Sequence, residues 1–190
     1  MKKLLKNKHV IMSVLLMITM LLLFMAYGQN DVYAASKVHF EYGNIKMGVN
    51  TKYQVKLLDK EGNKISASKV TWKCADKSIA KISKKGLLSG VKKGKTKVIA
   101  KYNGKTYKTT VQVYKLDNKK LKKNFGIPSD VKVKVKKEKV YYWWEGQDWM
   151  VPVYVYLTDG TLIAGAHCKV KGFEPCRSIW IDLDVLENVR

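Results

Sequence analysis

Residues 70–113, VTWKCADKSIAKISKKGLLSGVKKGKTKVIAKYNGKTYKTTVQV, decide the fold of this chain. Short apolar and β-branched runs alternate with glycine-containing turns at intervals of about eight to twelve residues, which is typical of strands in an antiparallel sandwich. Asn103-Gly104 separates the last two runs and favours a type I′ hairpin turn, because both central positions of that turn need positive φ. Alternation predicts that Val70, Trp72 and Cys74 point inward. The stretch therefore predicts a β-sandwich.

Several turns in this stretch also stand at the spacing of a known family. They are the Thr71-Trp72 pair, the run 76–82, the segment 86–90 ahead of Gly94-Lys95-Thr96, and the closing hairpin that ends in Thr110-Val111-Gln112-Val113. On these motifs, residues 37–114 resemble the group 2 bacterial immunoglobulin-like domain. The resemblance implies a non-catalytic β-sandwich that serves as a scaffold or spacer in secreted and cell-surface proteins. Cys74 departs from the family pattern, which usually has serine or another small residue there.

The N-terminus has the pattern of a secretory signal peptide. Four lysines precede an apolar run over residues 10–26, and the small residues that follow predict cleavage after Ala34. A retained membrane anchor is the alternative, because about 17 apolar residues is near the lower limit for spanning a bilayer. Residues 1–34 are thus predicted to be a signal peptide. We expect a secreted or cell-envelope protein, which contacts the membrane only if the segment is uncleaved.

The chain is strongly basic, with a formal net charge of +22. Removal of residues 1–34, which carry four lysines and one aspartate, leaves +19. A charge of this size concerns partners and solubility rather than fold. The excess of lysine over arginine favours a Gram-positive source, outside whose cells the abundant polyanions are teichoic acids and phospholipid head groups. We therefore expect an anionic cell-wall polymer or glycan as the partner, with a merely solvated lysine surface as the alternative. Nucleic acid is not expected, because the signal peptide exports the protein.

Residues 116–190 predict a second, small α+β domain, a short helix on an antiparallel meander, to which no family is assigned. Asp117 or Asn118 caps a helix on which Leu121 and Phe125 share a face, and Gly126 ends it. The strand-like runs are 131–135, 141–144, 150–157, 161–170 and 177–183, with a hairpin turn at Asp159-Gly160. The whole chain is therefore predicted to be mainly β, an immunoglobulin-like β-sandwich followed by this domain.

Aromatic side chains concentrate in the second half and are its best functional signal. On a strand, Tyr142 and Trp144 face one side while Tyr141 and Trp143 face the other. We expect one set to pack against the helix. The other set either faces water and stacks on sugar rings, or is covered by the sandwich or by a partner protein. The candidate binding residues are Lys132, Lys134, Lys136, Tyr141, Trp143 and Trp149. An adhesin subunit or extracellular protease inhibitor, which binds a surface protein, is the alternative function.

Two of the three cysteines, Cys168 and Cys176, bracket a turn-rich loop. We predict a disulfide between them, because oxidation is common outside the cell, and a bridge of this length stabilises by about 2–3 kcal/mol. Two free thiols or an intermolecular bridge are the alternatives. Cys74 then remains as a buried thiol in the sandwich.

The sequence predicts no catalytic, metal or cofactor site. His167 and Cys168 are neighbours on a predicted strand, so their side chains diverge and cannot easily share a metal ion or form a thiol-protease pair. Glu145 and Asp148 lie in a predicted loop without a partner geometry for acid–base chemistry. We therefore expect a protein that is not an enzyme and carries no cofactor.

Overall fold

The structure is a computed structural model that describes residues 37–188, so the predicted signal peptide and its cleavage after Ala34 lie outside the described residues. In these residues no helix is both long and apolar enough to cross a membrane. The elements in chain order are β1 (His39–Phe40), β2 (Asn44–Gly48), β3 (Lys52–Gln54), β4 (Leu57–Leu58), a 3-10 turn (Ala67–Lys69), β5 (Thr71–Cys74), β6 (Ala80–Ile82), β7 (Leu87–Gly90), β8 (Gly94–Tyr102), β9 (Lys105–Tyr114), α1 (Asn118–Asn124), β10 (Val133–Lys137), β11 (Tyr141–Trp143), β12 (Asp148–Leu157), β13 (Leu162–Lys169), β14 (Pro175–Ile181) and α2 (Leu183–Asn188).

The hairpin of β8 and β9 is the centre of the larger sheet of the sandwich. Its turn residues Asn103 and Gly104 have φ of 46° and 72°, as a type I′ turn requires. The strand order is β2-β9-β8-β5, with β2 parallel to β9 and the other pairs antiparallel. A second sheet has the order β3-β7-β6, and β1 pairs with β4. Leu88, Val98 and Val111, which come from both sheets, are fully buried in the core. The predicted sandwich is confirmed.

The chain departs from the predicted pattern where it passes between sheets. Residues 51–58 alternate throughout between buried and more exposed side chains, yet they are divided into β3, which pairs with β7, and β4, which pairs with β1. Between them, the Val55 N–H donates to the Gly86 carbonyl over 3.0 Å. The division occurs because the run changes partner strand halfway, which alternation of apolar residues does not reveal. Cys74 points inward as predicted and is 2% exposed.

The second half contains the predicted helix and meander. A carboxylate oxygen of Asp117 accepts from the Lys119 N–H over 2.9 Å and caps α1. Leu121 and Phe125 are buried, and Gly126 follows the helix with φ of 66°. The antiparallel sheet has the order β10-β12-β13-β14, and β11 also pairs with β12. The chain is therefore mainly β with a short helix, as predicted.

The two faces of this second sheet differ in exposure. On β12 the odd-numbered residues, from Trp149 to Leu157, are all buried. They form what we call the inner face, part of the core that also contains Leu121 and Phe125. The even-numbered residues of β12 and their cross-strand partners form the outer face, where all β12 side chains except Met150 are partly exposed. Strict alternation along one ten-residue strand thus separates a core surface from an accessible one.

Five aromatic side chains join the two halves of the described chain, and we call them the junction cluster. They are Tyr42 and Tyr53 from the sandwich and Tyr142, Trp144 and Trp149 from the second half. The Trp149 ring centroid lies 5.0 Å from that of Tyr42 and 5.0 Å from that of Tyr53, in edge-to-face geometry. The set that contains Tyr142 and Trp144 therefore packs on the sandwich, which is one of the alternatives that the sequence left open. Residues 37–188 lie in one compact unit, and a boundary near residue 115 remains a prediction.

We predict that Trp149→Ala destabilises the protein by about 3–5 kcal/mol, because it leaves a large cavity in the junction cluster. Trp144→Ala is the matched control, since Trp144 is 68% exposed, and its loss should stay within about 1 kcal/mol. Urea unfolding followed by circular dichroism measures both values. Equal losses for the two variants would contradict the central role of Trp149.

Candidate functional site

Strand register on the outer face places a cation and aromatic rings in one row. Residues directly opposite each other in an antiparallel pair share a face. The row crosses the sheet through Lys136, Tyr154, Gly165 and Trp180. The Trp180 indole lies over Gly165, where a Cβ would stand 2.6 Å from Trp180 Nε1. Trp180 keeps 40% of its surface exposed. The row therefore has a broad aromatic surface beside an ammonium group.

The same face has a second cation next to a second tyrosine. Lys134 lies opposite Tyr156, and its Nζ donates to the Thr158 carbonyl over 3.2 Å. Lys136 Nζ lies 2.9 Å from a carboxylate oxygen of Glu138. That hydrogen bond, the charge of Glu138 and the two nearby tyrosines raise the pKa of Lys136, so this side chain is cationic at neutral pH.

At the other end of the outer face, two aromatic side chains contact basic side chains. The guanidinium of Arg177 lies 4.3 Å from the centroid of the Trp143 ring, a cation–π contact. The Tyr141 hydroxyl and His167 Nδ1 are hydrogen-bonded at 2.7 Å. His167 and Arg177 lie opposite each other on β13 and β14. This end of the face is thus aromatic and carries both signs of charge, because Asp148 lies opposite Trp143 and Glu145 accepts from the Trp143 indole N–H.

The structure places the predicted binding residues in three different settings. Lys134, Lys136, Tyr141 and Trp143 lie on strands of the outer face, although in two groups at opposite ends. Lys132 precedes β10 and lines a small pocket of about 290 Å³ with Asp130, Asp159 and Thr158, whose carbonyl accepts from Lys134 Nζ. The structure corrects the prediction that Trp149 is a binding residue. Trp149 is 2% exposed, because its odd-numbered position on β12 turns it into the junction cluster, so it cannot contact a ligand.

Sequence reasoning did not select several residues that belong to the outer face. Tyr154 and Tyr156 alternate with buried valines, a pattern that could have placed them on the face of Lys134 and Lys136. No alternation of this kind placed Trp180 on the outer face, because β14 is irregular. Ser178 has φ of 48°, and the register shifts twice between β13 and β14. Each bulge breaks the period of two on which assignment to a face depends.

The two cysteines predicted to pair lie on neighbouring strands as free thiols. Cys168 is fully buried and lies opposite Pro175, whereas Cys176 is exposed at a bulge and donates to the His167 carbonyl over 3.5 Å. Burial raises the pKa of Cys168 to about 12, and burial likewise raises that of Cys74 to about 11. The predicted bridge remains a prediction that chemical modification can test.

In the part of the chain that the structure describes, the exposed thiol of Cys176 has no partner that would activate it as a nucleophile. Partial desolvation raises the pKa of Cys176, so its thiol is protonated at neutral pH and is a weak nucleophile. Its hydrogen bond reaches the backbone of His167 rather than the imidazole. Within residues 37–188, no group of three or more histidine, cysteine or acidic side chains is placed to hold a metal ion.

Comparison with known proteins identifies the sandwich. Residues 44–113 match the family model described as bacterial Ig-like domain (group 2), so this part of the chain is a group 2 bacterial immunoglobulin-like domain. The match confirms the resemblance seen in the turn motifs, and it favours a non-catalytic cell-surface protein over an enzyme. No curated protein matches the chain.

Solved structures of a surface-layer protein resemble parts of the fold. Domains 4 and 5 of the S-layer protein SbsC are 22% identical over 40% of this chain and 50% of that chain, with a TM-score of 0.33. Domains 5–6 are 17% identical over 68% of this chain and 65% of that chain, also with a TM-score of 0.33. The chain thus spans half of the first structure and just under two thirds of the second. At these scores the similarity supports no conclusion about function.

We predict that Cys176 is the most reactive cysteine of the reduced, folded protein, because it is exposed while Cys74 and Cys168 are buried with strongly raised pKa values. Iodoacetamide at about pH 8 should label Cys176 alone, and all three residues after unfolding. Mass spectrometry of the peptides gives the result. A Cys168–Cys176 bridge would protect Cys176 until reductant is added, and equal labelling of Cys168 and Cys176 would contradict the burial of Cys168.

Proposed function

We propose that the protein is a secreted or cell-surface, non-catalytic binding protein whose outer face contacts an anionic cell-wall polymer or glycan. The Ig-like domain serves as the scaffold that presents this face. The observation that carries the proposal is the row Lys136–Tyr154–Gly165–Trp180, in which an ammonium group and two aromatic rings lie side by side on an accessible sheet.

Each component of the row suits one component of such a polymer. Ammonium groups attract phosphate or carboxylate, and flat aromatic rings stack on the apolar faces of sugars. Neighbouring strands are about 4.8 Å apart, so a row over four strands spans about 14 Å. A row of this length is longer than one sugar ring, and it suits a repeating polymer better than a small anion.

The ion pair between Lys136 and Glu138 does not prevent the outer face from binding an anionic polymer. The Lys136 side chain is 64% exposed and that of Glu138 is 42% exposed. An exposed pair of this kind contributes at most about 1 kcal/mol, so an anionic polymer can replace Glu138 at little cost. Lys134 donates to a backbone carbonyl. Hydrogen bonds, and in addition the charge of Lys134, lower the pKa of the nearby Asp159 carboxylate.

A second candidate is binding of a surface protein, as in an adhesin subunit or an extracellular protease inhibitor. It is favoured by apolar side chains that are exposed on β14 and on neighbouring elements, namely Ile179 and Trp180 on the strand, Leu162 on β13 and Leu183 at the start of α2. Exposed apolar side chains at a sheet edge suit a protein interface. Binding through these apolar side chains does not involve Lys134 and Lys136 of β10. Changes to those two lysines therefore separate the two candidates.

We predict that Lys134→Gln with Lys136→Gln weakens binding of the protein to purified cell walls about 30-fold at low salt. A lysine near an anionic surface contributes about 1 kcal/mol, so two contribute about 2 kcal/mol. The matched control is Lys95→Gln with Lys97→Gln, which removes the same charge from exposed positions on β8. Binding of the unchanged protein should also fall steeply with added salt.

Equal weakening by the two lysine pairs would show that net charge, and not the outer face, binds the wall. A second pair, Tyr154→Ala with Trp180→Ala, tests the aromatic contribution. Wall binding unchanged in that variant would remove sugar stacking from the proposal. Recovery of one surface protein from culture supernatant, together with no retention on walls, would favour the second candidate.

A further inference from the structure

An open cleft lies at the junction of the sandwich and the second sheet, apart from the outer-face rows. Its volume is about 360 Å³, within the range of about 300–1,000 Å³ of small-molecule sites. Both halves of the described chain contribute to its walls, with Glu41, Tyr42 and Lys56 from the sandwich and Lys139, Tyr142 and Trp144 from the second half. A site of this kind exists only because the junction cluster holds the two halves together.

One wall of the cleft is an aromatic surface that is fixed before any ligand binds. Trp144 is 68% exposed, yet its ring centroid lies 4.9 Å from that of Tyr142 and 5.7 Å from that of Tyr42. The two tyrosines thus support the indole from the protein side. A pre-positioned ring loses little conformational freedom when a ligand stacks on it.

The other wall carries a fixed carboxylate and an ammonium group. One oxygen of Glu41 accepts from the Tyr53 hydroxyl at 3.1 Å, and the other lies 2.8 Å from Lys56 Nζ. The Glu41 side chain is only 21% exposed, whereas Lys56 is 40% exposed. Burial and the charge of Glu41 raise the pKa of Tyr53 well above its usual range, so the hydroxyl remains the donor. The polar groups of the cleft are therefore held in place by one another.

Together these groups fit an uncharged ligand with hydroxyl groups. A hydroxyl donates one hydrogen bond and accepts others, so it can bond a carboxylate and an ammonium group at once. Glu41 and Lys56 largely cancel each other's charge, so that Lys139 is the remaining charged group of the lining. An anion gains less here than on the outer face with its two lysines, whereas a sugar ring can place its apolar face on Trp144 and its hydroxyls toward Glu41 and Lys56.

We propose that this cleft binds a neutral saccharide, with one ring stacked on Trp144 and its hydroxyls bonded to the Glu41–Lys56 pair. The cleft borders the outer face at Tyr141, one of its lining residues, and its proposed ligand does not depend on the proposed binding of an anionic polymer. A protein with both sites contacts a cell-wall glycan through its charged groups and through its sugars at different surfaces.

The test is isothermal titration of the protein with three uncharged trisaccharides, of glucose, of galactose and of N-acetylglucosamine. At least one should bind, with an affinity that is unchanged when NaCl rises from about 50 mM to about 500 mM, because no net charge is neutralised. Trp144→Ala should weaken binding at least tenfold, and Trp144→Phe should restore part of it. Val91→Ala, which removes exposed apolar atoms outside the cleft, should have no effect.

Three results would overturn the proposal: binding of none of the trisaccharides, binding that Trp144→Ala leaves unchanged, or binding that salt abolishes. A protein ligand whose capture depends on Trp144, with no saccharide bound, would assign the cleft to a protein partner instead. The unfolding midpoint of each variant shows whether the fold is intact. The two proposals fail separately, since wall binding depends on salt and on Lys134 and Lys136, whereas saccharide binding depends on Trp144.

Discussion

Burial of Trp149 between Tyr42 and Tyr53 is the contact on which the rest of the described chain depends. A single sheet must cover one face with something else, and the second sheet is covered by two short helices, the seven-residue α1 and α2 with its buried Leu186, and by the sandwich. The tryptophan supplies a large apolar area, and each edge-to-face contact adds about 0.5–1.5 kcal/mol beyond that area. Because its inner face is anchored in this way, the sheet can leave its outer face in water. The cleft beside Trp144 follows from the same contact.

The sequence was most informative where a backbone conformation demands a particular residue. Asn103 and Gly104 fix the closing hairpin, Asp117 and Gly126 bound α1, and these positions hold in the structure. Alternation correctly divided the aromatic residues into two faces, because side-chain direction on a strand is local. What covers each face is not local, so alternation leaves cover by the sandwich as one alternative among several and does not predict the burial of Trp149. The bulges of β14 hid Trp180 for a related reason, since an extra residue reverses the assignment of every later side chain.

The lysines of this chain have different roles that net charge conceals. Lys134 and Lys136 stand next to tyrosines on an accessible sheet, where their charge is available to a polyanion. Lys56 forms an ion pair with the poorly exposed carboxylate of Glu41. This pair largely cancels the charge of Lys56, which therefore acts as a fixed hydrogen-bond donor. The two proposals differ accordingly, with anions at the outer face and hydroxyl groups in the cleft. Spacing in the sequence cannot separate these roles, because they depend on partners contributed by distant strands.

The parallel pairing of β2 with β9 has a mechanical consequence for a protein at a cell surface. The two strands run side by side in register from Asn44 opposite Thr110 to Gly48 opposite Tyr114. A force that pulls β2 from its N-terminal end and β9 from its C-terminal end acts along the strands in opposite directions. All the hydrogen bonds between them are then loaded together in shear, instead of opening one after another like a zipper. The sandwich is thereby built to transmit tension along the chain while its sheets stay closed.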